Sequence, residues 1–298
     1  MNRSRSYIAI IVAALSVTAF AAAAPAAPAE GAPAKAAPAG EVIPLYVSGQ
    51  HALMIVRIGD SAPAPVIFDT GTTDDVLDTG FAKSLRLERT GASHVIDGAT
   101  GQGVPGYSAA LPRVAMHRVV RTGVEVQVTD FPHPDAVGVF GPNTFAGGLV
   151  ALDFAKSRTR ILEKSALTIP SAPAEPYLGP ADDALPAAHV TIAGQVIQAY
   201  LDSGASAAIT LPLAMADQLP LQAKPVKTGS VRSASGEQDV FSARLQGDVK
   251  LGPLTLHDPA IDFVAKAAQP NIGLPVLKRL EILLDPAERR SWIIALSE

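Results

Sequence analysis

The chain has no cysteine among its 298 residues. Disulfides, thiolate catalysis, zinc–thiolate sites and a lipid-modified N-terminal cysteine are thereby excluded. Aromatic residues make up only 5%, so any core must rest on Val, Ile, Leu and Ala, which the 48% apolar content can supply. There is no basic surplus either. Charged residues are 17%, the formal net charge is −4, and no run of Lys or Arg forms the stripe that a nucleic-acid binder needs. The six histidines (51, 94, 117, 133, 189 and 257) are scattered, with no pair at the i, i+4 spacing of a helical zinc site. No metal and no other cofactor is expected.

The N-terminus has the pattern of an export signal. Arg3 and Arg5 precede an apolar, Ala-rich run from Tyr7 to Ala24 that ends in small residues. Residues 1–24 are expected to be a signal peptide and residues 25–41 an Ala/Pro-rich linker with nothing to bury. A periplasmic location is the simplest expectation, because a secreted protein of this size more often carries disulfides. A secreted form and an N-terminally anchored form are the alternatives.

From Val42 onward short apolar, β-branched runs alternate with Gly, Asp and Pro breaks. Ala52 to Ile58, Val66 to Phe68, Val114 to Val128, Val190 to Ile197 and Val249 to Leu256 read as strands with tight turns. Asp78 to Leu85, Leu213 to Leu219 and Pro275 to Leu280 are the candidates for short helices. The class is mainly β. The Pro-rich stretch 169–187 is expected to link an N-terminal lobe, residues 42–168, to a C-terminal lobe, residues 188–298.

The two lobes repeat one pattern. Val66-Ile67-Phe68-Asp69-Thr70-Gly71-Thr72 answers Ala199-Tyr200-Leu201-Asp202-Ser203-Gly204-Ala205: an apolar run, then Asp, a hydroxyl residue and Gly. An apolar residue and Gly follow, with Gly141 lying 72 residues after Asp69 and Gly273 lying 71 after Asp202. Asp153 and Asp285 each come 12 residues later, and Arg160-Ile161-Leu162 and Trp292-Ile293-Ile294 close the halves. Between the landmarks each half carries a Gly/Ser hairpin candidate, centred on Thr100 and Gly101 in one and on Ser235 and Gly236 in the other.

On these motifs each half resembles a lobe of an aspartic peptidase, over roughly residues 42 to 298. The lobe length is closer to a retroviral-type subunit than to pepsin, so the likeness is to a single-chain, tandem retropepsin-like protein. The resemblance implies two pseudo-symmetric β-barrel lobes with an active-site cleft between them, and Asp69 and Asp202 as a catalytic dyad. Two carboxyls that close cannot both ionise, so they share a proton. One acts as general base on water while the other hydrogen-bonds the substrate carbonyl. Gly71 and Gly204 would allow the tight turns. Thr70 and Ser203 would hydrogen-bond across the lobe interface. Thr72 would donate to the outer oxygen of Asp69, which Ala205 cannot do for Asp202; on that reasoning Asp69 is the expected base and Asp202 the proton holder.

The hairpins at residues 98–107 and 233–241, with Thr100, Gly101, Ser235 and Gly236 at their tips, are candidate flaps; ordinary mobile hairpins are the alternative. Asp74 and Asp75 are read as a solvated turn, with a cation site as the alternative. Gly98-x-x-Gly101-x-Gly103 lacks the glycine order and the following helix of a nucleotide loop. The expected activity is endopeptidic cleavage of an extended or unfolded polypeptide. A narrow processing protease with one exported substrate and a non-catalytic peptide-binding module on the same fold are the alternatives. The expected partner is peptide alone, with no nucleic acid, with no dimer needed to complete the site, and with membrane contact only through an uncleaved signal.

Overall fold

A computed structural model describes residues 6–8, 40–48, 50–97, 102–131, 133–164, 173–180, 183–233 and 236–296. Almost all of the expected signal peptide and linker, and the hairpin-tip residues Thr100, Gly101 and Ser235, lie outside the described residues. Residues 6–8 run parallel to Ser230–Arg232 at the outer edge of a hairpin of the second lobe. Among the described residues no helix is long and apolar enough to cross a membrane.

The architecture is mainly β and is built twice. In the first lobe Ala52–Ile58 and Ala64–Phe68 form an antiparallel pair, with Met54 opposite Val66. Alternation along Ala52–Ile58 turns Ala52, Met54, Val56 and Ile58 inward. Gly138–Phe140 then lies parallel to the second strand, with Phe140 beside Phe68. Val76–Asp78 joins on its far side, followed by Val124–Thr129. The second lobe repeats this order. Ala187–Ile192 pairs with Gln195–Asp202, Asn271–Gly273 lies parallel to the latter, and Ile209–Pro212 and Ala260–Val264 follow.

Each lobe also extends a long hairpin. One pairs Arg89–Asp97 with Gln102–Leu111, and the other pairs Val226–Ser233 with Gly236–Arg244. The apolar stretch from Val114 to Val128 is three short strands rather than one. His117 and Gly123 have φ of 55° and 65°, the left-handed values that reverse a chain, and they separate Val114–Met116, Val119–Arg121 and Val124–Thr129. The three expected helices form as short elements: a six-residue α-helix at Thr79–Ser84, a six-residue 3-10 helix at Leu213–Gln218 and a single α-turn at Leu274–Leu277. Asp78 caps the first by accepting from the N–H groups of Gly80 and Phe81.

The lobes meet in a shared sheet. Leu149–Asp153 and Glu281–Asp285 pair antiparallel about Ala151 and Leu283. Arg158–Leu162 and then Glu41–Val47 extend it on one side, Arg290–Ile294 and then Glu175–Pro176 on the other. The repeated Asp153 and Asp285 are turn residues here: each accepts from the N–H three residues on, Lys156 and Glu288 respectively. The Arg160 guanidinium crosses between lobes to the Glu281 carboxylate. The Pro-rich stretch after the first lobe is itself tied down, since Leu178 and Leu185 pair and Tyr177 donates its N–H to the Arg289 carbonyl. One aliphatic core runs through both lobes, with Phe68, Phe140, Phe145, Phe154 and Phe263 as its largest fully buried rings.

Candidate active site

The strands Ala64–Phe68 and Gln195–Asp202 are buried towards their ends and bring Asp69 and Asp202 to the contact between lobes. The neighbouring parallel strand stands beside each exit: Asp69 N–H donates to the Phe140 carbonyl at 3.0 Å, and Asp202 lies opposite Gly273. Beyond the second turn, Gly273 N–H donates to the Ala208 carbonyl at 3.0 Å, just before the antiparallel strand Ile209–Pro212. In the first lobe the Gly141 N–H instead reaches the Asp75 carboxylate at 2.9 Å, so the same donor is satisfied by a side chain.

The two turns are then locked to one another. Thr70 N–H donates to Ser203 Oγ at 3.0 Å, and Ser203 N–H to Thr70 Oγ1 at 2.9 Å. The hydroxyls donate onward across the interface, Thr70 Oγ1 to the Leu201 carbonyl at 2.5 Å and Ser203 Oγ to that of Phe68 at 2.9 Å. Four buried hydrogen bonds therefore set the register of the lobes, in the way the resemblance implied for Thr70 and Ser203. Gly71 and Gly204 are required by space. A Cβ on Gly71 would stand 2.8 Å from the Asp202 carboxylate, and one on Gly204 would fall inside that of Asp69.

The carboxylates share a donor. Gly204 N–H points to Asp202 Oδ1 at 2.9 Å and to Asp69 Oδ1 at 3.1 Å, which places the inner oxygens of both residues around one N–H. Asp69 Oδ1 also accepts from Gly71 N–H at 2.7 Å. Asp202 accepts from Ala205 N–H at 3.0 Å and, at its Oδ2, from Asn271 Nδ2 at 2.6 Å. Burial, then the charge of Asp202, push the Asp69 carboxyl well above the ordinary carboxylate range. Burial also raises Asp202, but the hydrogen bonds from Asn271, Asp69, Gly204 and Ala205 all hold it down.

This reverses the assignment that the sequence suggested. Thr72 Oγ1 donates to the Asp74 carbonyl at 2.8 Å and is spent on its own turn, so it gives Asp69 no extra donor. The extra side-chain donor sits on Asp202 instead and comes from Asn271, which sequence reasoning missed. Asp202 is the group favoured as carboxylate, and Asp69 the group favoured as acid. A signal was present: Asn271 corresponds to Val139 of the first lobe, since Asn271 lies beside Tyr200 as Val139 lies beside Ile67. A buried Asn where the repeat has Val needs a polar partner.

Gly236 stands at the start of its strand in the second hairpin, whereas Thr100, Gly101 and Ser235 lie outside the described residues. Both hairpins begin earlier than the Gly/Ser signals, at Arg89 and Val226. His51 and His133 come together edge to face at 5.0 Å, but among the described residues no three His, Asp or Glu side chains could hold a metal ion.

Asp75 is buried, which corrects its reading as a solvated turn residue. Burial pushes its carboxyl up to about 7, against the donors Gly141 N–H and Thr144 Oγ1. A carboxyl whose folded pKa is raised contributes stability fully below its unfolded pKa and loses it as pH rises through the folded value, here from about 4 to beyond about 7. Asp75→Asn keeps an acceptor for both donors and cannot ionise. Urea unfolding should show the variant within about 1 kcal/mol of wild type at pH 4.5 and more stable by roughly 2–4 kcal/mol at pH 8.5. Equal stability at both pH values would contradict the buried, raised carboxyl.

A family model described as aspartyl protease matches the chain twice, at residues 54–145 and 188–276. Each match contains one Asp-hydroxyl-Gly turn and the apolar-Gly strand behind it. No curated protein matches the chain.

Proposed function

The chain belongs to the aspartyl protease family, and we propose from that premise that it is an endopeptidase whose Asp69 and Asp202 activate a water molecule against a peptide carbonyl. The observation that carries this reading is the convergence of both inner carboxylate oxygens on the Gly204 N–H. Asp202, the better-solvated anion in hydrogen-bond terms, acts as general base and takes a proton from the water. Asp69 holds its proton and passes it to the carbonyl oxygen as the C–O bond to water forms. Collapse of the tetrahedral diol breaks the C–N bond, with the proton on Asp202 going to the leaving nitrogen while one diol O–H returns its proton to the Asp69 carboxylate as the C=O reforms. The pair is thereby restored to one shared proton. No covalent acyl-enzyme forms.

The substrate is an extended polypeptide, bound between the lobes beneath the two hairpins and held through its backbone. One chain supplies both carboxylates, so the site is complete without a second copy. Residues 1–24 would direct export and residues 25–41 would space the lobes from the membrane, with the periplasm as the working compartment. The absence of cysteine and the Arg3/Arg5 apolar leader support that placement.

Digestion of unfolded casein with hydroxylamine present tests the chemistry. Internal cleavage with free carboxylates at every new C-terminus is expected. Hydroxamates at those termini would mean an acyl-enzyme and would overturn the water-activation reading.

A further inference from the structure

Next to the carboxylate pair the second lobe has a cavity of about 470 Å³ beneath its hairpin. Ala205 and Asn271, both donors to Asp202, form one wall, so the cavity opens one residue away from the proposed chemistry. Most of its lining is small and apolar, including Val231, Val240 and Val264. Its floor carries a charge. Asp262, half-buried in Ala260–Val264, turns to the cavity because Ile261 and Phe263 on either side of it point into the core.

The partners of Asp262 form a short relay. Ser242 Oγ donates to Asp262 Oδ1 at 2.5 Å. With that hydrogen committed, the 2.7 Å contact between Thr228 Oγ1 and Ser242 Oγ runs from Thr228 to Ser242. The chain of hydroxyls thus polarises towards a carboxylate, and no salt bridge reaches Asp262 among the described residues. The first lobe offers a control built into the fold. There Gln127 lies opposite Ser108 and beside Val76, just as Asp262 lies opposite Ser242 and beside Thr210. Gln127 is neutral and its Oε1 accepts from both Ser93 and Ser108 hydroxyls. The repeat has therefore kept the polar position and made it anionic on one side only.

We propose that this cavity is a charge-selective subsite, in which Asp262 recognises the cationic tip of a Lys or Arg side chain of the bound polypeptide while the apolar walls hold its methylene stem. This rests on the peptide-binding part of the reading above and not on catalysis. Volume and lining suit a long aliphatic stem, and a carboxylate with one hydroxyl donor among the described residues, in a largely apolar site, favours a cation over a neutral head. Burial already lifts the Asp262 carboxyl, the direction that an arriving cation would oppose.

The test separates binding from cleavage. Randomised octapeptide pools, made with Lys or with norleucine at each position in turn, are passed over immobilised Asp69→Asn protein with and without Asp262→Asn. At one position the Lys pool should be retained about tenfold or more over the norleucine pool, and Asp262→Asn should bring that ratio to about one. Equal retention at every position, or a Lys preference that Asp262→Asn leaves intact, would overturn the proposal. Lys selectivity that depends on Asp262, in a wild-type protein that cuts no peptide, would sustain the subsite and remove only the catalytic reading.

Discussion

Asp69→Asn and Asp202→Asn are each expected to lower kcat/KM on an unfolded polypeptide by about 10⁴-fold, the upper range for loss of a positioned acid or base. The two substitutions act on different steps. Asn at 202 cannot take a proton from water, and Asn at 69 has no acidic proton to give the carbonyl oxygen. Together they should cost little more than either alone, because the pair works as a unit. Neither should unfold the protein, since an amide oxygen can still accept from Gly71, Gly204 or Ala205. Asp69→Asn should even gain stability at neutral pH. The raised pKa of Asp69 means that its contribution is present in acid and lost as pH climbs through the folded value. Steady-state kinetics beside thermal melts at pH 5 and pH 8 check both halves. Residual activity above about one per cent in either variant would remove that residue from the mechanism.

Asn271→Val, which installs the first-lobe residue at the matching place, should cut kcat by roughly 10- to 100-fold, the worth of one hydrogen bond to a charged group. Its more telling effect is on the pH profile. Asn271 Nδ2 stabilises the Asp202 carboxylate, so its loss raises the Asp202 pKa further. Since the acid limb of activity reports protonation of the base, that limb should move to higher pH. The alkaline limb, set by Asp69, should move far less, so the bell narrows from its acid side. The fold should tolerate the change, because Asn271 Oδ1 is buried with no hydrogen-bond partner among the described residues and Val removes it. A uniform drop in kcat with both limbs unmoved would mean that Asn271 merely packs.

These two predictions show where the sequence was informative. The paired motifs, with matched gaps to Gly141 and Gly273, located both carboxylates and the strands behind them, because backbone topology repeats with the sequence. Hydroxyls at Thr70 and Ser203 were legible for the same reason: their contacts are symmetric and their partners lie within the turns. What failed was the choice of partner by a free rotor. Thr72 Oγ1 takes the Asp74 carbonyl, a choice that spacing alone cannot make. Asn271 was hidden because its role arises across a parallel strand pair nearly seventy residues away, within an otherwise apolar run. Asp75 looked like a turn residue beside Asp74, yet the Gly141 N–H and Thr144 draw it inward. Hairpin lengths were underestimated because Gly and Ser mark tips, while strands such as Arg89–Asp97 carry mixed polarity that conceals their pairing. The shared sheet is non-local, and no local pattern announces Ala151 opposite Leu283.

The proton assignment also bears on working pH. Burial raises both carboxyls above the ordinary range, so the singly protonated pair should persist to higher pH than two free aspartates would allow. The shared-proton pair is put to the test by the rate at which the folded chain from Gly40 onward cuts unfolded casein between pH 3 and pH 8, beside its two Asp→Asn variants. A bell-shaped profile is expected, with its optimum above pH 4, a rate linear in protein concentration, and no detectable cleavage by either variant. No cleavage at any pH by protein shown to be folded, or equal cleavage by the variants, would contradict the shared-proton pair.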